Sequence, residues 1–398
     1  MANLMPASSH SALLRPLQKK WYSSTVCKLT LEVKRVSPKR VMHRAAAAMT
    51  KIPTLPLSSG SHIPVLGLGT GSLGHKGKMS EEEVTAALET ALECGYRHFD
   101  TAANYRNETI IGQVLRRWIS EGKVKREELF ITTKLPANGN REKDVGRFLQ
   151  KSLDDLGLPY VDLYLIHYPC GILGTADDTL IPHKIIFDPT TDILGIWRGM
   201  EAQVKSSSTS VSTSLPSGGA MEAQVAAGKA NNIGLSNFNA EQLQRVIKGC
   251  QVRPSVLQVE VHVYMQQGAL RALCAQHDIL VCGFCPLGGP FRLSSKTSKL
   301  EKMKPLLDDP LVLDVAAAHH KTPAQVLLRY LHQINVIPIP KSANPTRLLQ
   351  NTQIFDFELT SAEMSSLAGL DQGPEGRIIT EFFHGDHAHP EFPFHPPN

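Results

Sequence analysis

Three short hydrophobic runs of this chain each end on reactive groups. FDTAANY at 99–105 supplies Asp100 and Tyr105, ITTKLP at 131–136 supplies Lys134, and DLYLIHYP at 162–169 supplies His167. A fourth, GLSNF at 234–238, adds the hydroxyl of Ser236 and the amide of Asn237. A carboxylate, a phenol, an amine and an imidazole suffice to deliver a proton to a carbonyl oxygen. Tyr105 is the candidate acid, but a free tyrosine, with a pKa near 10, gives up its proton poorly at neutral pH. Lowering that value by roughly 2 to 3 units takes about 3 to 4 kcal/mol of preferential phenolate stabilisation. A Lys134 ammonium would supply it, and Asp100 would keep that ammonium charged in a partly buried site. A neutral His167 would donate to the substrate oxygen and orient it. Singly, each has a plainer reading: a loop aromatic, a helix cap, a satisfied core histidine. Four complementary groups at successive strand ends favour the joint one.

Groups from separate runs meet only if their strands end on one face, as they do in a parallel α/β barrel. From residue 52 the pattern provides such strands. A hairpin-like pair, IPTLPL and HIPVLGLG, precedes a helix opened by Ser80 and three glutamates. Strands are expected at 96–100, 129–134, 161–167, 232–236, 256–261, 279–284 and 336–341. Helices are expected at about 107–121, 141–156, from Ile193, from Asn239, and at about 267–276, 322–333 and 344–351. Short strands spaced by helices and repeated about eight times argue for a closed (β/α)8 TIM barrel over an open sheet.

Over residues 52–398 the chain resembles the aldo-keto reductase superfamily, in particular its aldose reductase and aldehyde reductase group. The family's Asp, Tyr, Lys and His match Asp100, Tyr105, Lys134 and His167, at intervals of 5, 29 and 33 residues. The resemblance implies a TIM barrel without a Rossmann domain, holding NADPH/NADP+ in an extended pose and passing hydride to aldehydes or ketones. The competing reading is a protein of the same fold that binds NADPH as a regulatory or structural subunit. By the same resemblance, Ser236, Asn237 and Gln258 hold the nicotinamide carboxamide, and Phe284 stacks on the ring, keeping the π face of the usual tyrosine without its hydroxyl. Leu287 is expected, by that resemblance, to be a further cofactor contact. In IPKSANPTRLLQN, Lys341, Ser342 and Arg347 match the clamp on the 2′-phosphate, and Gln350 and Asn351 the adenine contacts. Two cations and a hydroxyl near a helix start favour NADPH over NADH.

The chain also departs from that pattern. Gly289 stands where many relatives place a serine near the pyrophosphate. Gly71 and Tyr168 stand where aldose reductases carry pocket tryptophans, so Gly71, Tyr168 and His167 are expected to line a wider, more polar substrate pocket. The C-terminal phenylalanines 382, 383, 392 and 394 resemble a mobile loop that closes the mouth; ordinary tail packing is the alternative.

Composition bounds the rest. The 398 residues are 42% hydrophobic, enough for a large core, and no apolar run reaches membrane-helix length. The net charge of +5 is uneven: residues 1–51 hold ten basic residues and one acid, which leaves the remainder at −4 and weakens any nucleic-acid reading. The first 48 residues are basic and acid-poor like a transit peptide, but no clean amphipathic helix emerges, and Met49 opens the domain naturally. We therefore expect this extension to be disordered or absent, untranslated or dispensable, and the protein cytoplasmic; a working transit peptide would make it mitochondrial. MEAQV occurs at 200–204 and again at 221–225, around a Ser-rich stretch at about 205–220. This reads as an imperfect gene model or unusual splice form in preference to a partner-binding loop. Seven scattered cysteines suit a reduced compartment, and a monomer acting on a small carbonyl compound is expected.

Three further motifs carry little weight. The GxGxxG of Gly69, Gly71 and Gly74 lacks the helix and acid of a dinucleotide fold and reads as the first barrel loop. Cys282 and Cys285 lie three apart in a strand, on opposite faces. The tail histidines 384, 387, 389 and 395 lack a second ligand cluster, so no metal site is expected. Asn107, Glu108 and Thr109 form a glycosylation sequon, which has no meaning in a reduced compartment.

Overall fold

Two strands, β1 (Thr54–Pro56) and β2 (His62–Pro64), form an antiparallel hairpin whose tight turn uses Gly60 at φ 85°. Eight parallel strands follow: β3 (Gly67–Gly69), β4 (His98–Asp100), β5 (Phe130–Leu135), β6 (Leu163–Ile166), β7 (Ile233–Ser236), β8 (Val256–Glu260), β9 (Leu280–Phe284) and β10 (Val336–Pro338). Each pairs with its neighbour in chain order. The ring closes where Gly69 N donates to Pro340 O at 3.0 Å. A Cβ at Gly69 would lie 2.8 Å from Ile339 O, so this approach needs glycine. This is the expected TIM barrel with its N-terminal hairpin. The computed structural model describes residues 51–71, 73, 79–173, 185–204, 228–289 and 303–394; the N-terminal extension, Gly74, His395 and the Ser-rich insertion lie outside these.

Around the ring run α1 (Glu81–Glu93), α2 (Glu108–Ser120), α3 (Val145–Leu156), α4 (Ile193–Glu201), α5 (Ala240–Gly249), α6 (Gly268–Gln276), α7 (Pro310–Ala318), α8 (Pro323–Gln333), α9 (Pro345–Thr352) and α10 (Ser361–Ala368). Reciprocal capping boxes start α1, α5, α8 and α10: Ser80 with Glu83, Asn239 with Gln242, Thr322 with Gln325, Thr360 with Glu363. The sequence reading did not anticipate α7 and α10. Only Leu367 of α10 is buried, so it carries no apolar stripe, and α7 is apolar nearly throughout. The helix expected from 141 begins at Val145, after a 3-10 turn at Glu142–Asp144. Among the described residues no helix is long and apolar enough to cross a membrane.

Strand alternation sorts the barrel into a dry floor and a polar rim. Phe130, Leu163, Leu165, Val256, Cys282 and Ile337 pack with Leu57 and Ile63 of the hairpin, which seals the N-terminal end. Continuing at the same parity, Phe130 leads through Thr132 to Lys134, Leu165 to His167, and Val256 through Gln258 to Glu260. Residues of opposite parity, such as Ile131, Tyr164 and Ile166, face outward into the helix-lined core. The reactive groups are therefore the upper ends of inward-facing columns whose lower ends are hydrophobic.

The C-terminal segment crosses the upper rim. Ile378 N and Ile379 N donate to Glu260 at 2.6 and 2.8 Å, the Tyr168 hydroxyl donates to Asp386 at 2.8 Å, and Glu391 pairs with Arg245 of α5. Phe382, Phe383, Phe392 and Phe394 pack on Tyr168 and Cys170. The segment is thus anchored to the rim at several points.

Candidate active site

Lys134 is wholly buried, so each of its three ammonium donors needs an acceptor. Nζ donates to Asp100 Oδ1 at 2.6 Å and to Thr101 O at 2.8 Å, and is hydrogen-bonded to the Tyr105 phenol; it lies 5.0 Å from the centre of the tyrosine ring. The other Asp100 oxygen accepts from Gln258 Nε2 at 2.7 Å. Burial works against the Lys134 ammonium, but Asp100 and Tyr105 outweigh it and hold its pKa above the ordinary lysine value.

Tyr105 ends a short 3-10 turn, Ala103–Tyr105, directly after β4. Its ring stands edge-on to His167 with centroids 5.6 Å apart. His167 Nδ1 is enclosed without a partner, which leaves Nε2 as the ring nitrogen open to the rim. Burial and then the nearby Lys134 charge lower the His167 pKa to about 3, so the imidazole is neutral at physiological pH. A proton on enclosed Nδ1 would be a buried donor without an acceptor, which favours the tautomer carrying it on Nε2.

On the next strand, Ser236 and Asn237 are buried, and Asn237 adopts φ 64°, a left-handed conformation that asparagine tolerates. Asn237 Nδ2 donates to His167 O at 2.8 Å and to Ser236 Oγ at 3.1 Å, while its Oδ1 is buried without a partner. Phe284, half-buried, ends β9, and Leu287 packs at the edge of the core. Past β10, Lys341 is exposed and Ser342 buried. Asn344 caps α9 by accepting from Arg347 N at 3.0 Å, which leaves the Arg347 side chain exposed. Gln350 is half-buried, whereas Asn351 is turned inward and hydrogen-bonded to the Tyr96 hydroxyl.

A model of the family described as "Aldo/keto reductase family" matches residues 65–372. The chain belongs to the aldo/keto reductase family. It is 37% identical over 351 residues to Aldo-keto reductase family 1 member A1 of Gallus gallus, covering 86% of this chain and 97% of that protein. It is also 37% identical over 322 residues to the 3-alpha-hydroxysteroid dehydrogenase of Rattus norvegicus, covering 79% and 91%. Among solved structures, the Bombyx mori aldo-keto reductase in complex with NADP superposes with a TM-score of 0.70 at 36% identity, over 86% of this chain and 99% of that one.

In this aldo-keto reductase one electrostatic expectation needs correction. Lys134 does pull the Tyr105 pKa down, but burial pushes it up by more, with Asp100 adding to the rise, and the net value lies above that of an ordinary tyrosine. The phenol is thus protonated at neutral pH.

Tyr168 is also placed differently from an open pocket wall. It is buried beneath the tail, with its hydroxyl on Asp386 and its ring 4.7 Å from that of Phe382. Gly71 does border the reactive tyrosine: a Cβ there would lie 3.3 Å from the Tyr105 ring.

Sequence reasoning missed Asn107. Noted in the sequence only as part of a sequon, it is buried, donates to Thr70 O and Leu73 O at 2.9 and 3.0 Å, and accepts from Thr101 Oγ1 at 3.1 Å. It ties the Gly71 loop to the turn that carries Tyr105. The available signal was its position just ahead of α2, where a polar side chain commonly serves the local backbone.

Proposed function

We propose that residues 49–398 reduce aldehydes and ketones, sugar-derived carbonyls among them, to alcohols, with Tyr105, Lys134, Asp100 and His167 as the catalytic group. NADPH is the cofactor, and when bound it supplies the hydride. The residues present suit it. The buried, unpartnered Asn237 Oδ1, between Ser236 and Gln258, is an acceptor for a carboxamide N–H. Phe284 and Leu287 offer an apolar face for the ring, while exposed Lys341 and Arg347, with Ser342 at a helix start, offer charge to a 2′-phosphate.

The observation that carries the reading is the Lys134 ammonium shared between Asp100 and the Tyr105 phenol, next to a neutral imidazole. Because Lys134 donates to the phenol oxygen, the phenol proton is left to point away from it, toward a substrate oxygen. His167 Nε2–H donates to the same oxygen and fixes its direction. As the proton leaves Tyr105, Lys134 stabilises the phenolate and Asp100 holds Lys134 in place. Gly71 against the Tyr105 ring leaves room for substrate where a large side chain would intrude.

The finer proposals rest on composition and contacts. Cysteines 94, 170, 250, 274 and 282, none in a disulfide, support a cytoplasmic location, and the protein is read as a monomer. The test follows NADPH absorbance with a panel of aldehydes. Consumption of NADPH with at least one aldehyde is expected; tight NADPH binding with no consumption across the panel would favour the non-catalytic subunit instead.

A further inference from the structure

Within the C-terminal segment, Glu381, Asp386 and His387 each bring one potential ligand atom to a point where all lie within 4.8 Å of one another. Glu381 and His387 are exposed, so the cluster opens to solvent, whereas Asp386 is wholly buried. The two oxygens of Asp386 differ sharply. Oδ2 accepts from the Tyr168 hydroxyl at 2.8 Å, from Phe382 N at 2.9 Å and from Phe383 N at 3.2 Å. Oδ1 is enclosed and has no partner at all. A buried carboxylate oxygen without a donor is costly, and such an exception calls for a cause. Gly385, at φ 86°, makes the sharp turn that folds Asp386 and His387 back toward Glu381.

We propose that Glu381, Asp386 and His387 form a divalent-cation site in the C-terminal segment, with Asp386 Oδ1 as its buried ligand. Two carboxylates and one imidazole carry two negative charges, which a dication neutralises. The imidazole selects a borderline ion such as zinc over magnesium or calcium, which prefer all-oxygen shells. Three protein ligands leave a fourth tetrahedral position for water. The sequence reading weighed only the tail histidines and found no second cluster; the missing ligands are carboxylates. Since Asp386 also holds Tyr168, which follows His167, an ion there fastens the phenylalanine-bearing segment to the rim beside the catalytic imidazole.

The test is a calorimetric titration of the full chain, saturated with NADP+ and freed of metal by a chelator, with zinc chloride. One site per chain is expected, weakened at least tenfold in both Glu381→Gln and His387→Ala and unchanged in His384→Ala, which alters an exposed neighbour outside the cluster. Magnesium chloride in excess should not compete. Equal affinity in the parent, Glu381→Gln and His387→Ala proteins would overturn the proposal. So would an equal loss in His384→Ala, which would mark adventitious capture by surface histidines.

Discussion

Gln258 and Asp100 meet across the barrel interior, the amide Nε2 of one donating to the carboxylate Oδ2 of the other at 2.7 Å. They come from β8 and β4, which are not neighbours in the sheet. The Asp100 carboxylate is thus shared between a cation on Oδ1 and a neutral amide on Oδ2. Removing Lys134 leaves that buried charge with the amide alone. Lys134→Met should therefore cost about 3 to 5 kcal/mol of stability in urea denaturation. The double variant Lys134→Met with Asp100→Asn should regain most of it and stay inactive. A single variant as stable as the parent would contradict the buried pair.

For Tyr105→Phe the ring and its packing on His167 remain while the proton is lost. The turnover number should fall by about 10²- to 10⁴-fold, and the NADPH dissociation constant, measured by fluorescence titration, should stay within about twofold of the parent value. A loss of turnover under tenfold would remove Tyr105 from the acid's role.

Arg347→Ala deletes an exposed guanidinium whose backbone N–H, not its side chain, caps α9 through Asn344. The helix start should survive. A charge-assisted contact is worth about 1.5 to 3 kcal/mol, so NADPH affinity should fall about 10- to 100-fold while NADH affinity hardly moves. Equal losses for the two cofactors, by the same titration, would mean that Arg347 does not read the 2′-phosphate.

Glu108 opens α2 and is buried, accepting from Thr133 Oγ1 at 2.5 Å and Ser152 Oγ at 2.9 Å. Burial raises its pKa from 4.5 to about 7. The unfolded chain loses this proton near 4.5 and the folded protein near 7, so its contribution to stability is full below 4.5 and is lost as pH rises through 7. The loss is on the order of 3 kcal/mol. Glu108→Gln should gain on the parent by that order between about pH 4.5 and about pH 8 in urea denaturation. A difference between the two proteins that does not change with pH would show that Glu108 does not titrate in this window.

Much of the site was legible because alternation along a strand is a local property. Lys134 and His167 end runs whose same-parity apolar residues, Phe130 four positions back and Leu165 two positions back, must face the same interior, so their meeting followed from sequence. The contacts that complete the site were not local. Gln258 reaches Asp100 over a separation of 158 residues, and Tyr168 reaches Asp386 over 218, which no periodicity records. The phenol's upward shift was missed for a related reason: the Lys134 charge could be read from the chain, but the depth of burial that outweighs it depends on the whole ring. Helix α10 was silent because a segment with one buried side chain has no stripe to detect.

The anchors of the terminal segment carry a consequence for biosynthesis. Glu260, Tyr168 and Arg245 belong to three separate parts of the ring, and all are synthesised well before the residues that bind them. A nascent chain can assemble the cylinder first, and the segment from Ile378 onward can dock only once it has itself emerged. A product ending prematurely near residue 376 would strip both Ile378 and Ile379 N–H groups from the Glu260 carboxylate, leaving it beneath the rim with His262 as its remaining donor.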